Sequence, residues 1–226
     1  MDAQTKADKA TGVDFARNSI RTAILRGEFG PSGKLTLTDL AERIGTSVTP
    51  IREALRDLAG EGLVDIDPHR GARVHNPPVT ELRETYALRL MLEGRAMREL
   101  ALLSEEERAV ACIKATRLAK KMESEQDVPA WAELNRAFHA EIALPLGTAW
   151  PRLYALIETL RNISLLPVAA ALKLDASLMR QADIEHQDLI RAIYEGDADA
   201  AEAITLKHLG RTRKTLLEQG VNIPQK

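Results

Sequence analysis

The chain has 226 residues, 45% of them hydrophobic and 28% charged, with a formal net charge of −2. That supplies apolar material for one large core or two modest ones. Residues 1–76 carry eleven basic and eleven acidic side chains and residues 77–226 carry 20 and 22, which excludes a nucleic-acid partner held by bulk charge alone. The polar opening MDAQTKADKATG does not read as a signal peptide and no run of 18 apolar residues occurs, so a cytoplasmic protein with no membrane partner is expected. The single cysteine, Cys112, cannot form an internal disulfide and reads as a small buried side chain.

In chain order, residues 1–11 read as a flexible leader and residues 12–76 as a unit of three helices and a hairpin. The first helix, VDFARNSIRTAILRGEF, is expected to turn Phe15, Ile20, Ile24 and Leu25 inward. The next two, LTDLAERIG and SVTPIREALRDLAGEGLV, are joined only by Gly45-Thr46-Ser47, the short glycine turn of a helix-turn-helix. Leu40, Ala41 and Ile44 can then meet Ile51, Ala54, Leu55 and Leu58, which leaves Thr49, Arg52 and Arg56 outward. Arg52 and Arg56 share a face, and Arg52 lies near the helix N-terminus, the end that enters a major groove. An arginine there either donates two hydrogen bonds to guanine or neutralises a phosphate, or else pairs with Glu53, Asp57 or Glu61 on its own surface.

Behind these helices, Val64 and Ile66, then Ala72 and Val74, alternate around Asp67-Pro68-His69-Arg70-Gly71, the pattern of a β-hairpin. It gathers His69, Arg70 and Arg73 at a turn. The prolines of HNPPVT can neither continue a helix nor pair in a sheet, so residues 77–80 are expected as a linker.

The stretch PSGKLTLTDLAERIGTSVTPIREALRDLAGEGLVDIDPHRGARV resembles the winged helix-turn-helix domain of GntR-family bacterial transcription regulators. The resemblance rests on Leu40-Ala41, Gly45, Thr49-Pro50, Arg52-Glu53-Ala54-Leu55, Leu58, Glu61-Gly62-Leu63 and Arg70-Gly71. It implies a double-stranded DNA operator as partner, with Thr49 and Arg52 facing the DNA and Arg70 and Gly71 reaching the minor groove. Members usually carry an arginine immediately before the Thr-Pro pair and another at the start of the second helix; Val48 and Thr38 stand there in this chain. That implies an operator differing from the family's common one, with Val48 against a thymine methyl and Arg56 beside Arg52 as a further DNA-facing group.

Residues 81–220 read as long helices with breaks near Leu103-Ser104, Gln126 to Pro129, Pro145 to Pro151, Pro167 and Gly196-Asp197, and residues 221–226 as a tail. The fold class is therefore mainly α: a winged helix-turn-helix of three helices plus a β-hairpin wing, then an all-α antiparallel bundle. Three of the five histidines fall on inward faces of separate helices. In WAELNRAFHAEI, Asn135 and His139 flank the stripe Trp131, Leu134, Phe138, Ile142; His186 sits among Ala182, Leu189 and Ile193; His208 follows Ala201 and Ile204. Each reads either as a satisfied core histidine or as a ligand, and one divalent ion bound by three neutral imidazoles satisfies all three together. Glu141, Glu185 and Asp188 neighbour these histidines in sequence but are expected to project elsewhere, leaving no general base.

ETYALRLMLEGRAMRELA, ELNRAFHAEIA and IEHQDLIRAIYEGDADAAEAITLKHL resemble, in order and spacing, the helical effector domain of the FadR branch, the FCD domain. The resemblance implies that Asn135, His139, His186 and His208 bind a divalent metal ion (zinc, nickel or manganese), which orients a small organic carboxylate effector. Asn135 stands where many members have aspartate. Arg89 resembles the arginine that pairs with the effector carboxylate, Arg161 is a second candidate, and either reads alternatively as an interhelical ion pair. The expected protein is a homodimeric, ligand-responsive regulator. The alternatives are a metal sensor whose ion is itself the effector, and a hydrolytic enzyme whose three-histidine site activates water.

Overall fold

The computed structural model describes residues 3–175 and 177–218. It divides into two compact units between Asn76 and Pro77.

The first unit comprises α1 (Ala3–Arg26), β1 (Lys34–Leu35), α2 (Leu37–Ile44), α3 (Val48–Gly60), β2 (Val64–Asp67) and β3 (Gly71–Val74). The backbone of residues 3–11, expected as leader, is helical and continuous with α1. Alanine, glutamine and lysine predominate there, and such side chains lose little freedom in a helix; Met1 and Asp2 lie outside the described residues. Phe15 is not inward as expected but 60% exposed. The buried stripe of α1 runs Ala16, Ile20, Ile24, and Phe15 stands about 100° round the helix from it. Buried Arg21 pairs with Glu61 and ties α1 to the end of α3.

The turn between α2 and α3 is built on Gly45, whose φ of 75° and ψ of 38° are left-handed. Its N–H donates to Ala41 O, as does that of Thr46, closing the end of α2. A Cβ at Gly45 would meet nothing, so the strain of a substitution there is purely that of the backbone. Gly45→Ala is expected to cost about 1–2 kcal/mol in urea unfolding, and a cost near zero would show that the left-handed turn is dispensable.

The sheet is antiparallel in the order β1-β3-β2. The hairpin register pairs Val64 with Val74, Ile66 with Ala72 and Asp67 with Gly71. At the tip, Asp67 Oδ1 accepts the backbone N–H groups of His69 (2.7 Å) and Arg70 (3.1 Å), and Gly71 takes the positive φ of 78° that closes the turn. The third strand, β1, was not expected. Two residues cannot show a period of two, and only its pairing of Lys34 with Arg73 and Leu35 with Ala72 reveals it.

The second unit comprises α4 (Val79–Ala101), α5 (Glu105–Ser124), α6 (Val128–Ala143), α7 (Leu146–Ala149), α8 (Pro151–Ile163), α9 (Leu165–Leu174), α10 (Ser177–Glu195) and α11 (Ala198–Glu218). The expected linker is shortened, because α4 starts at Val79 with Pro78 as its N-cap and so takes Val79 and Thr80. The expected tail, residues 221–226, lies outside the described residues.

Three helix starts have side-chain caps. Ser104 and Glu107 form a reciprocal capping box on α5, Asp127 accepts the Ala130 N–H of α6, and Asp197 accepts the Ala200 N–H of α11. Between α8 and α9 the break falls at Ser164, not at Pro167, which occupies the first turn of α9 where no N–H donor is needed. The break at Asp175 was not expected. α4 packs along α11, and α5 packs against α6 and α10. Met97, Leu100, Trp131, Phe138, Ile142 and Ile193 fill the space between them. Cys112 is buried in the same core, its thiol 3.6 Å from Ile190 O and burial pushing its pKa up, so it is a packing residue. Among the described residues no single helix is long and apolar enough to cross a membrane.

Candidate functional site

The face of α3 left over after Ile51, Ala54, Leu55 and Leu58 are buried carries Thr49, Arg52 and Arg56, all exposed, with Val48 partly buried at the helix start. Among the described residues neither arginine makes an ion pair. Glu61, a partner considered from sequence, is held by Arg21. Arg52 and Arg56 line one groove together with Lys34, Thr38 and Gly71, so basic side chains of α3 and β1 border the same groove as the start of β3. Arg70 is exposed at the tip of the wing, its backbone fixed by Asp67.

In the helical unit, α6, α10 and α11 bring His139, His186 and His208 together, with candidate ligand atoms all within 4.8 Å of one another. The ring centroids are 5.0, 5.2 and 5.7 Å apart. His186 is 1% exposed, lies between Trp131 and Phe138, and has no hydrogen-bond partner on either ring nitrogen. Burial, aided by the neighbouring histidines and arginines, holds the pKa values of His139 and His186 well below the usual histidine range. Both are therefore neutral imidazoles with lone pairs available. One turn before His139, Asn135 Oδ1 is also buried without a partner. Unpaired polar atoms of this kind cost about 1–3 kcal/mol each. The donor set suits a divalent ion: three imidazole nitrogens are borderline ligands of the type zinc and nickel prefer, and the amide oxygen is a weaker fourth.

Glu185 corrects the expectation that it projects elsewhere. It is 4% exposed; Oε2 accepts from His208 Nδ1 at 2.7 Å, and Oε1 is taken by Arg211. The reason is that α11 packs on the flank of α10 that carries Glu185, a placement no periodicity on α10 alone could show. Holding Nδ1 leaves Nε2 of His208 to face a ligand. With both oxygens engaged, Glu185 orients a histidine and is not a free base. Glu141 faces Lys114 and Asp188 faces Arg191. Glu185→Gln is expected to weaken metal binding by about 10–100-fold in a competition titration with a chromogenic chelator; unchanged affinity would remove Glu185 from the site.

Arg89 and Arg161 converge as well, on a residue sequence reasoning missed. Glu93, 1% exposed, accepts from Arg89 Nε (2.6 Å) and Arg161 Nε (2.8 Å). Arg161 Nη1 donates to His139 O and to Glu158, both at 2.9 Å. The interhelical ion pair is realised for Arg161, which reaches Glu93 from α8, whereas Arg89 pairs with Glu93 within α4; both arginines also line a cavity of about 80 Å³ with Asn135, His139 and His208. A smaller void of about 10 Å³ lies behind, bordered by the three histidines, Glu93 and Glu185.

Residues 13–74 match the model of the bacterial regulatory proteins of the gntR family, and residues 84–211 match the FCD domain. The chain belongs to this GntR family, with an FCD domain of the FadR type. It is a DNA-binding transcription regulator. Among curated relatives, the regulator is 27% identical over 199 residues to the HTH-type transcriptional repressor GlaR of Escherichia coli, covering 84% of this chain and 89% of that one. It is 32% identical over 130 residues to an HTH-type transcriptional regulator in the TAR-I ttuE-ttuC' intergenic region of Agrobacterium vitis, covering 56% and 76%. Its fold is that of E. coli McbR/YncC, with a TM-score of 0.73 at 21% identity over 92% of this chain and 98% of that one.

Proposed function

We propose that this GntR regulator acts in the cytoplasm as a homodimer. Its FCD domain binds a small organic carboxylate beside a divalent ion and thereby changes affinity for a double-stranded operator. The observation that supports this most strongly is the cavity itself. Of the three clustered histidines, His139 and His208 line one cavity with Arg89 and Arg161, and His186 borders the small void behind it. Asn135, His139, His186 and His208 would hold the ion, zinc, nickel or manganese, which when bound supplies a positive Lewis-acidic centre for a carboxylate. Arg89 and Arg161 would orient that carboxylate from the side, because guanidinium groups match its two oxygens. The space beyond the histidines favours a separate organic effector over the ion alone.

On the DNA side, Val48, Thr49, Arg52 and Arg56 would enter the major groove while Arg70 and Gly71 approach the minor groove. A dimer sets two such helices on half-sites about one helical turn, roughly 34–36 Å, apart. Arg52→Ala is expected to weaken operator binding about 5–150-fold at fixed salt and relax one base position, equivalent to about 1–3 kcal/mol, with the helical domain still folded. Unchanged affinity in a gel-shift titration would refute the placement of the recognition helix.

A further inference from the structure

We infer that α4 carries the face on which a second copy of this chain docks, the two α4 helices packing antiparallel. The inference rests on the homodimer reading above and concerns where the copies meet. Glu84, Leu88, Met91 and Arg95 are spaced four, three and four residues apart, so they form one stripe along α4, and all four are exposed. The other sides of α4 pack against α8 and α11. Leu88 is 39% exposed and Met91 72%, in the middle of a helix that is otherwise largely covered. A Cβ at Gly94 would meet Leu206 Cδ2 at 2.9 Å, so α11 closes directly on α4 there and adds a third exposed aliphatic side chain. Single exposed apolar residues need no partner, but a cluster on one surface marks a contact.

The stripe is its own complement. Reversed end to end, it sets Leu88 on Met91 and Glu84 on Arg95, so a two-fold axis midway between positions 89 and 90 pairs apolar with apolar and acid with base. Parallel pairing in register would instead set Glu84 against Glu84 and Arg95 against Arg95. Among the described residues Glu84 has no ion-pair partner, and Arg95 holds Glu99 of its own helix while staying exposed. Length supplies an independent argument. With a rise of about 1.5 Å per residue, that axis places the two copies of Val79 about 32 Å apart. Val79 opens α4 directly after the DNA-binding unit ends at Asn76, and two recognition helices on adjacent half-sites need roughly 34–36 Å. α5 carries a rival stripe, Glu106, Val110, Ile113 and Arg117, exposed and complementary in the same sense. No DNA-binding unit is attached at either of its ends.

The test is sedimentation velocity over a concentration series, on the full-length protein and its variants, with helix content checked by circular dichroism. The wild type is expected to be a dimer. Met91→Glu, which sets an unpaired acid at the centre of the stripe in both copies, should weaken the dimer at least about 100-fold with helix content unchanged, and Ile113→Glu should leave it intact. Glu84→Arg and Arg95→Glu should each weaken it about threefold or more, and the double variant should recover most of the loss, since it restores opposite charges across the axis. A dimer that survives Met91→Glu, or one that Ile113→Glu abolishes, would overturn the α4 face while leaving the homodimer standing. Losses that simply add in the double variant would overturn the antiparallel register. A wild type that stays monomeric at every concentration would overturn the homodimer reading itself, and the inference with it.

Discussion

Replacing Glu93 with alanine is expected to destabilise the FCD domain by about 3–5 kcal/mol, because removal of one partner strands the buried charges it served. Glu93 is 1% exposed, and the side chains of Arg89 and Arg161 are 7% and 8% exposed, so water replaces its charge poorly. The two guanidiniums would then face each other across an empty site. The sign with pH follows from the same contacts. Burial pushes the Glu93 pKa up, but Arg161 and Arg89 outweigh it and hold the carboxyl below its ordinary range. A depressed carboxylate contributes stability that is fully present above its unfolded pKa and is lost as pH falls through its folded pKa. Denaturant unfolding from neutral to acid pH should therefore show the wild type losing this contribution on the acid limb. Glu93→Gln should lack it at every pH, and an identical acid limb in the two proteins would mean that Glu93 does not carry the charge assigned to it.

His186→Phe is expected to have opposite effects with and without metal. In EDTA the variant should match or exceed the wild type in stability. The new ring keeps contact with Trp131 and Phe138, and the two unpartnered ring nitrogens, worth about 1–3 kcal/mol each when buried, are gone. With zinc at a hundred times its dissociation constant, the wild type should gain about 2.7 kcal/mol and the variant almost nothing. A purely structural histidine gives the reverse in EDTA, a loss of stability, and no metal dependence in either protein. Bound zinc per chain, measured after dialysis, gives an independent reading of the same difference.

The DNA-binding unit was readable in the sequence because its devices are local. Gly45 marks the turn by needing a left-handed backbone, and Asp67 to Gly71 announce the wing tip. The phases of three helices likewise pointed His139, His186 and His208 inward. What stayed hidden depends on how elements meet. Glu93 looks in sequence like any helical glutamate, and only the packing of α4 against α8 sets Arg161 across from it. Glu185 sits one residue from an inward histidine and so reads as outward until α11 closes over it. Phe15 reads as inward by its size, but the helical phase puts Ala16, not Phe15, on the buried stripe.

Carboxylate binding at the histidine site is expected to be energetically coupled to DNA binding. Fluorescence anisotropy of a labelled operator fragment at fixed salt tests it, comparing zinc-loaded protein with and without the carboxylate that stabilises it most. Coupling of about 1–3 kcal/mol predicts a 5–150-fold change in operator affinity in the wild type, absent in His186→Phe. Equal affinities with and without the carboxylate, or a change that survives in His186→Phe, would show that the histidine site does not control DNA binding.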